Sequence, residues 1–127
     1  MKVFFETVAA DHMPYPTAGD WSWLKDGSLR VRALSNLDQK SALLVLVHEF
    51  LEAILCRAHS VCEDQVTAFD KDHPECEEPG DEVAAPYNQE HSFAMAIERL
   101  LAVMLRIPWK THEANLSAAV ELCWPRE

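Results

Sequence analysis

Basic residues are scarce in this chain: 11 Lys and Arg stand against 21 Asp and Glu, which gives a formal net charge of −10. Binding to a nucleic-acid backbone relies on clustered Lys and Arg, so the composition argues against a general nucleic-acid-binding protein. The same deficit argues against docking on anionic lipid. We therefore expect neither a nucleic acid nor a membrane surface among the partners of this protein.

Long hydrophobic runs and paired cysteine motifs are also missing. No apolar stretch approaches the roughly 20 residues that a membrane-spanning helix needs. The N-terminal sequence MKVFFETVAADH has one Lys and an apolar patch that Glu6 interrupts, unlike a signal peptide. The four cysteines form no CxxC pair, which argues against a zinc ribbon, and Cys56 and Cys123 fall in apolar helical patterns typical of reduced thiols. We expect a cytoplasmic protein.

Internal repeats and low-complexity segments are absent as well, and the length of 127 residues is typical of a single domain. Acidic residues, by contrast, are concentrated: nine of them, with one Lys, lie between Glu63 and Glu82. Three prolines follow one another closely from position 74, so residues 73–87 are expected to be mainly loop. This loop is a solvated excursion, a rim around a cation or a patch for a basic partner.

The order of predicted elements is strands first and helices second. Residues Lys2 to Val8 suit a strand, and the alternating apolar pattern around Asp26-Gly27 predicts a β-hairpin. Ser35 or Asn36 is expected to cap a helix that runs to about Ala58. Further helices are expected at residues 63–69, 88–107 and 113–123. The fold class is therefore α+β: an N-terminal antiparallel β-meander and a helical layer with two long packed helices in one domain, residues 1–127.

Each long helix carries a His and a carboxylate beside its apolar face. In the first, His48 and Glu52 lie one turn apart, just beyond the edge of the apolar arc. In the second, His91 and Glu98 are seven residues apart and lie on one line. The apolar arc of the first helix comprises Leu43, Val47, Phe50, Leu51 and Ile54, and the predicted core stripe of the second comprises Phe93, Ile97, Leu100, Leu101 and Met104.

If the two helices pack side by side, these polar groups converge into a set of metal ligands. We predict His48, Glu52 and His91 as ligands of zinc or another divalent transition metal. Glu98 is either a fourth ligand or a hydrogen-bond acceptor for a ligand His. Glu49 follows the first His directly and is the predicted catalytic base.

The plainer interpretation is that His48 and Glu52 form an ion pair worth a few tenths of a kcal/mol. The remaining histidines are expected at the surface, and two aspartates near the end of the short helix are outside candidates for the site. These histidines are His12, His59, His73 and His112, and the aspartates are Asp70 and Asp72.

The pair His48-Glu49 on an apolar helix resembles the active-site helix of zincin metallopeptidases, whose signature is HExxH. Here Glu52 replaces the second His, which gives HExxE. The wider string over residues 44–106 is similar to small zincin-like proteins of bacterial and phage genomes. The resemblance implies a metal-dependent hydrolase whose substrate is not established, with a peptide as one candidate.

Two other classes of function are compatible with the same residues. Glu49 and Glu52 form an ExxE, as in helical nucleotide pyrophosphohydrolases, where carboxylates hold Mg²⁺ against phosphates. Two histidines in the set favour a softer metal than Mg²⁺. Alternatively, the acidic loop covers a basic surface of a partner, and the protein is a non-enzymatic interaction protein.

Overall fold

The computed structural model describes residues 1–126, which form three strands and four α-helices. The strands are β1 (Val3–Val8), β2 (Gly19–Trp23) and β3 (Leu29–Leu34). The helices are α1 (Gln39–Ala58), α2 (Glu63–Asp72), α3 (Asn88–Met104) and α4 (Trp109–Cys123). A small N-terminal sheet followed by a helical layer confirms the predicted α+β class.

The hairpin of β2 and β3 is antiparallel, as its turn sequence predicts, and Trp21 pairs with Val31 across it. Gly27 has a φ of 86°, a left-handed conformation that glycine adopts without strain. The sheet differs from the expected meander in one respect, because β1 runs parallel to β3 and the strand order is β1-β3-β2. The connection through residues 9–18, which contains Pro14 and Pro16, crosses to the far side of β3 instead of closing a tight antiparallel turn.

Helix α1 lies across the sheet and contributes to the main core with residues from β2 and β3. Trp21, Leu29, Val31, Ala53 and Cys56 belong to this core cluster, and all are buried. The helix begins later than expected: its N-cap is Asp38, whose side chain accepts from the Ser41 backbone N–H at 3.3 Å, and neither Ser35 nor Asn36 takes that role.

The two long helices α1 and α3 pack closely against each other, as predicted. Small side chains lie on the buried face of α3, where Ala94 and Ala102 are almost completely buried beside His91 and Glu98. They let the two backbones approach and leave room for larger polar groups between the helices. Among the described residues, no helix is long and apolar enough to cross a membrane.

The predicted core stripe of α3 was wrong at three of its five residues, while Ile97 and Leu101 are half-buried. Phe93, Leu100 and Met104 are 51%, 65% and 78% exposed, and Leu43 of the α1 arc is 44% exposed. The buried residues of α3 are instead Glu90, His91, Ala94, Glu98 and Ala102. The helix is turned so that its polar line faces α1, because those polar groups satisfy one another there, and its apolar face points outward.

Candidate metal site

Four predicted site residues meet between α1 and α3. His48 and Glu52 project from α1, while His91 and Glu98 project from α3, and each is no more than 6% exposed. The one-turn spacing on α1 and the two-turn spacing on α3 put the two side chains of each helix on the face that meets the other helix. The structure therefore brings together every residue that the sequence nominated as a ligand.

Three of these side chains converge on one point. His48 Nε2 is 3.2 Å from His91 Nδ1 and 3.3 Å from Glu52 Oε2, and His91 Nδ1 is 3.0 Å from that same oxygen. Among the residues that the structure describes, this is the one group of His, Cys, Asp or Glu with metal-binding spacing. Glu98 is outside this triplet.

The outer ring nitrogens of both histidines face carboxylates. His48 Nδ1 lies 2.7 Å from Glu98 Oε1, and His91 Nε2 lies 3.1 Å from Asp81 Oδ1. An ionised carboxylate only accepts hydrogen bonds, so each outer nitrogen carries the proton and donates it. With both rings neutral, the inner nitrogens present lone pairs to each other and to Glu52. A proton on an inner nitrogen, donated to Glu52, or a metal ion between the three atoms removes the resulting repulsion.

Glu98 connects the site to a second buried histidine. Its Oε2 is 2.5 Å from His112 Nε2, and His112 Nδ1 is 3.0 Å from the Ser41 hydroxyl. The expectation of a surface position for His112 was wrong, because its side chain is completely buried. Of the two alternatives for Glu98, hydrogen-bond acceptor and fourth ligand, the geometry matches the acceptor, since both of its oxygens receive a hydrogen bond from an imidazole.

Glu52 is held on its other side by the sheet. The indole N–H of Trp21 donates to Glu52 Oε1 at 3.0 Å, which leaves Oε2 directed at the two imidazoles. Nearby, Asp70 accepts hydrogen bonds from the hydroxyls of Tyr15 and Tyr87. Asp70 therefore lies in the cleft but has both oxygens engaged, whereas Asp72 is exposed.

The electrostatics of the buried network favour an ionised Glu52 next to a protonated His48. Burial alone would raise the pKa of Glu52, but the hydrogen bonds from His48 and His91 outweigh it and lower the pKa to about 2. Burial opposes a charge on His48, yet its contacts with Glu52 and Glu98 raise its pKa. The site is therefore built to hold positive charge between its carboxylates.

Glu49 lies in the same cleft, beside His48 and Glu52. Burial and the negative charge of Glu52 raise its pKa well above the usual value. The strand end at Gly19 allows this close packing, because a Cβ at Gly19 would lie 3.2 Å from Glu49 Cγ and 2.4 Å from Val45 Cγ1. Glu49 therefore holds a proton more tightly than an ordinary glutamate.

The acidic loop forms one wall of a cleft of about 1040 Å³ that opens onto the site. As predicted, residues 73–87 are irregular, apart from a short 3₁₀ turn at Pro79–Asp81. Gly80 in that turn lies against His91, since a Cβ there would come within 2.4 Å of the imidazole Cγ. The turn thus places Asp81 within hydrogen-bond distance of His91 and packs tightly against the imidazole ring.

Several functional contacts escaped sequence reasoning. The local pattern does not identify Trp21 or His112, because each reaches the site from an element distant in sequence, and it places Asp81 only within the acidic loop as a whole. Gly80 is the sequence feature that could best have indicated such a contact. It is one of few glycines in the chain, and it lies among acidic residues just before the helix that carries His91. The other three histidines lie outside the triplet: the side chains of His12 and His59 are 67% and 48% exposed, and His73 stacks on Phe69.

Comparison of the chain with protein-family models, with curated protein sequences and with solved structures gave no match.

Proposed function

We propose that this protein binds a divalent transition-metal ion, with zinc as the first candidate, through His48, Glu52 and His91, and uses it for hydrolysis. The convergence of three ligand atoms at mutual distances of 3.0–3.3 Å supports this proposal. Ligands about 2.0–2.1 Å from a tetrahedral zinc ion lie about 3.3 Å apart, so small adjustments of side chains accommodate the ion.

The ligand set favours zinc over magnesium. Imidazole nitrogen and carboxylate oxygen suit zinc and its neighbours, whereas Mg²⁺ takes oxygen ligands in octahedral geometry. Three protein ligands beside a cleft match catalytic zinc, which leaves a coordination position for water, while structural zinc usually has four protein ligands. The bound ion would supply Lewis acidity and an activated water in that position.

The remaining residues of the site have roles that follow from their contacts. Glu98 and Asp81 orient the two imidazoles by accepting their outer N–H groups. Trp21 holds one oxygen of Glu52 so that the other is directed inward. Glu49, which follows His48 directly, would accept a proton from water as the general base.

The proposal also includes a cytoplasmic location and a peptide substrate. All four cysteines are free, including the fully buried Cys56, which suits a reducing cytoplasm. A peptide is the first candidate substrate, by the same resemblance to zincin peptidases.

Metal content tests the ligand assignment directly. The protein is purified without a His-tag, dialysed against zinc, and analysed by elemental mass spectrometry for the wild type and for His48→Ala, His91→Ala and His12→Ala. We expect about one zinc per wild-type chain and per His12→Ala chain, because His12 lies outside the site, and loss of zinc from the other two variants.

Three outcomes would overturn the proposal. A wild-type protein that holds no zinc, manganese, iron, cobalt, nickel or copper would make the non-enzymatic interaction protein the leading alternative. Zinc that survives both ligand substitutions would mean that the ion binds elsewhere. A requirement for Mg²⁺ with nucleoside triphosphates as substrate would instead favour the pyrophosphohydrolase alternative.

A further inference from the structure

We infer that Glu78, on the acidic loop, is a displaceable fourth ligand of the metal ion and thereby controls the access of water and substrate to it. The inference rests on the proposed function, because it concerns the ion that His48, Glu52 and His91 would bind. Catalytic zinc keeps one coordination position for water, and a carboxylate of the same chain that takes this position competes with water. The acidic loop is then an inhibitory segment of the site as well as a wall of its cleft.

The turn that follows Glu78 holds it beside the proposed ligands. Gly80 of this turn packs against the His91 ring, and its carbonyl accepts from Asn88 Nδ2 at 2.9 Å. Asp81 of the same turn accepts the outer N–H of His91 at 3.1 Å. With the backbone anchored in this way, Glu78 Oε2 lies 3.8 Å from His91 Nε2. The carboxylate is thus kept next to a ligand histidine by contacts that its own side chain does not make.

Glu78 is also free to turn toward an ion. The carboxylates of Glu52, Glu98 and Asp81 each accept at least one hydrogen bond from a neighbouring side chain. Within the described part of the chain Glu78 makes no hydrogen bond, and its side chain is 44% exposed. It gives up no hydrogen bond within the protein when it binds a metal ion. Glu49 makes none either, but it is fixed to α1 and is the proposed base.

Charge favours a cation beside Glu78. The cleft walls desolvate its carboxylate and raise its pKa to about 7, with a further contribution from the negative charges of Glu98 and Asp81, although the two site histidines oppose this rise. The charge of Glu78 in turn adds to the raised pKa of Glu49, after burial and other nearby charges. Among the described residues no Lys or Arg forms an ion pair with Glu78, so a divalent ion in the adjacent site is the cation that relieves this repulsion.

Cobalt reports on the coordination directly, because Co²⁺ accepts the same ligand types as zinc and absorbs visible light when bound. Its affinity is measured by chelator competition for the wild type, Glu78→Gln, Glu78→Asp and Glu77→Gln. Imidazole, a ligand for the fourth position, is then titrated into each cobalt-loaded protein at a pH where it is neutral. Glu77→Gln is the matched control, since it removes the same charge from the neighbouring exposed residue of the loop. Circular dichroism and the melting temperature verify that each variant is folded.

The two affinities should change together. Glu78→Gln should lower the cobalt affinity about tenfold or more and raise the affinity for imidazole by the same factor, because both contain the one equilibrium between bound and released Glu78. Glu78→Asp should behave nearly like Glu78→Gln, since it keeps the charge but shortens the reach of the side chain. Glu77→Gln should leave both affinities within about threefold of wild type.

The outcomes separate this inference from the proposed function. Wild-type protein that binds no cobalt overturns both. Cobalt binding that Glu78→Gln and Glu77→Gln affect equally overturns the inference alone and leaves the metal site in place. A fall in cobalt affinity without the matching rise for imidazole, or a Glu78→Asp variant that behaves like wild type, also overturns it, because the charge of Glu78 would then act without coordination.

Discussion

His48 Nε2 and His91 Nδ1 lie 3.2 Å apart, although the two residues are 43 positions apart in the chain and on different helices. Both nitrogens also face Glu52 Oε2, and each ring donates its outer N–H to a different carboxylate. Three electron-rich atoms at such distances repel one another unless a proton or a metal ion lies between them. This relationship between the two histidines accounts for the inward polar faces of α1 and α3.

Two glutamates of α1, three residues apart, are expected to respond differently to the same substitution. Glu52→Gln replaces a charged ligand oxygen with a neutral amide, so zinc affinity should fall sharply. Glu49→Gln keeps the shape of the side chain but removes the base, so zinc should stay while any hydrolytic rate falls by roughly 10²–10⁴. Metal content and activity are measured on the same preparations.

The comparison between the two glutamine variants separates ligand from base. Full zinc occupancy in both would remove Glu52 from the ligand set. Loss of zinc from Glu49→Gln would make Glu49 a ligand and leave the site without its proposed base.

His112 is expected to act on zinc without touching it. His112→Ala removes the hydrogen bond to Glu98 Oε2, so Glu98 no longer holds His48 firmly, and zinc affinity should fall by roughly 10–100-fold. Ser41→Ala leaves the contact between His112 and Glu98 in place and should have a much smaller effect on affinity. Competition with a fluorescent chelator measures both. Equal affinities for wild type and His112→Ala would show that the buried chain from Ser41 to His48 serves packing alone.

We expect Gly80 to be required for the position of the His91 ring. A methyl group in Gly80→Ala would meet the imidazole at 2.4 Å, and the turn or the ring must move, so zinc affinity should drop. Gly27→Ala provides the contrast, since its φ of 86° predicts a stability loss of about 1 kcal/mol with zinc affinity unchanged. Zinc titration and urea unfolding of both variants check this, and the idea fails if Gly80→Ala binds zinc as tightly as wild type.

The start of α1 is expected to give the stability a pH dependence. Slight burial opposes the charge of Asp38, but its hydrogen bonds with Ser41 outweigh this and hold its pKa below the usual value. The folded-state pKa is thus below the unfolded one, so the stabilisation is complete above the unfolded pKa, about 3.9, and is lost as the pH falls through the folded pKa.

Two substitutions of Asp38 isolate this effect. Asp38→Ala should cost about 1 kcal/mol at pH 7, and the cost should shrink toward pH 3. Asp38→Asn keeps a capping side chain that does not titrate, so its difference from Asp38→Ala should stay constant with pH. Urea unfolding at several pH values measures these differences. A pH-independent cost of Asp38→Ala would mean that the carboxylate charge does not matter at this N-cap.

The helical periodicity was sufficient to nominate the ligand triplet. A His and a carboxylate one or two turns apart on each long helix share a face whatever the tertiary structure. The HExxE motif can be recognised directly from the sequence. The hairpin could also be predicted from the sequence, because Asp26-Gly27 between two segments of alternating apolar residues is typical of a tight β-turn. Trp21 is buried in the core, but its hydrogen bond to Glu52 depends on a contact across 31 residues.

The sequence by itself thus determined which residues share a face on each helix, where the hairpin turns and where the acidic loop lies. Those properties follow from local backbone geometry and from side-chain chemistry within a few residues. Only the tertiary structure decided that α1 and α3 turn their polar lines toward each other, that β1 joins the sheet in parallel and that His112 is buried against Glu98. Burial of apolar side chains alone would have placed Leu100 in the core. The carboxylates and imidazoles of α1 and α3 face each other instead, because buried polar groups need hydrogen-bond partners and these groups supply them to one another.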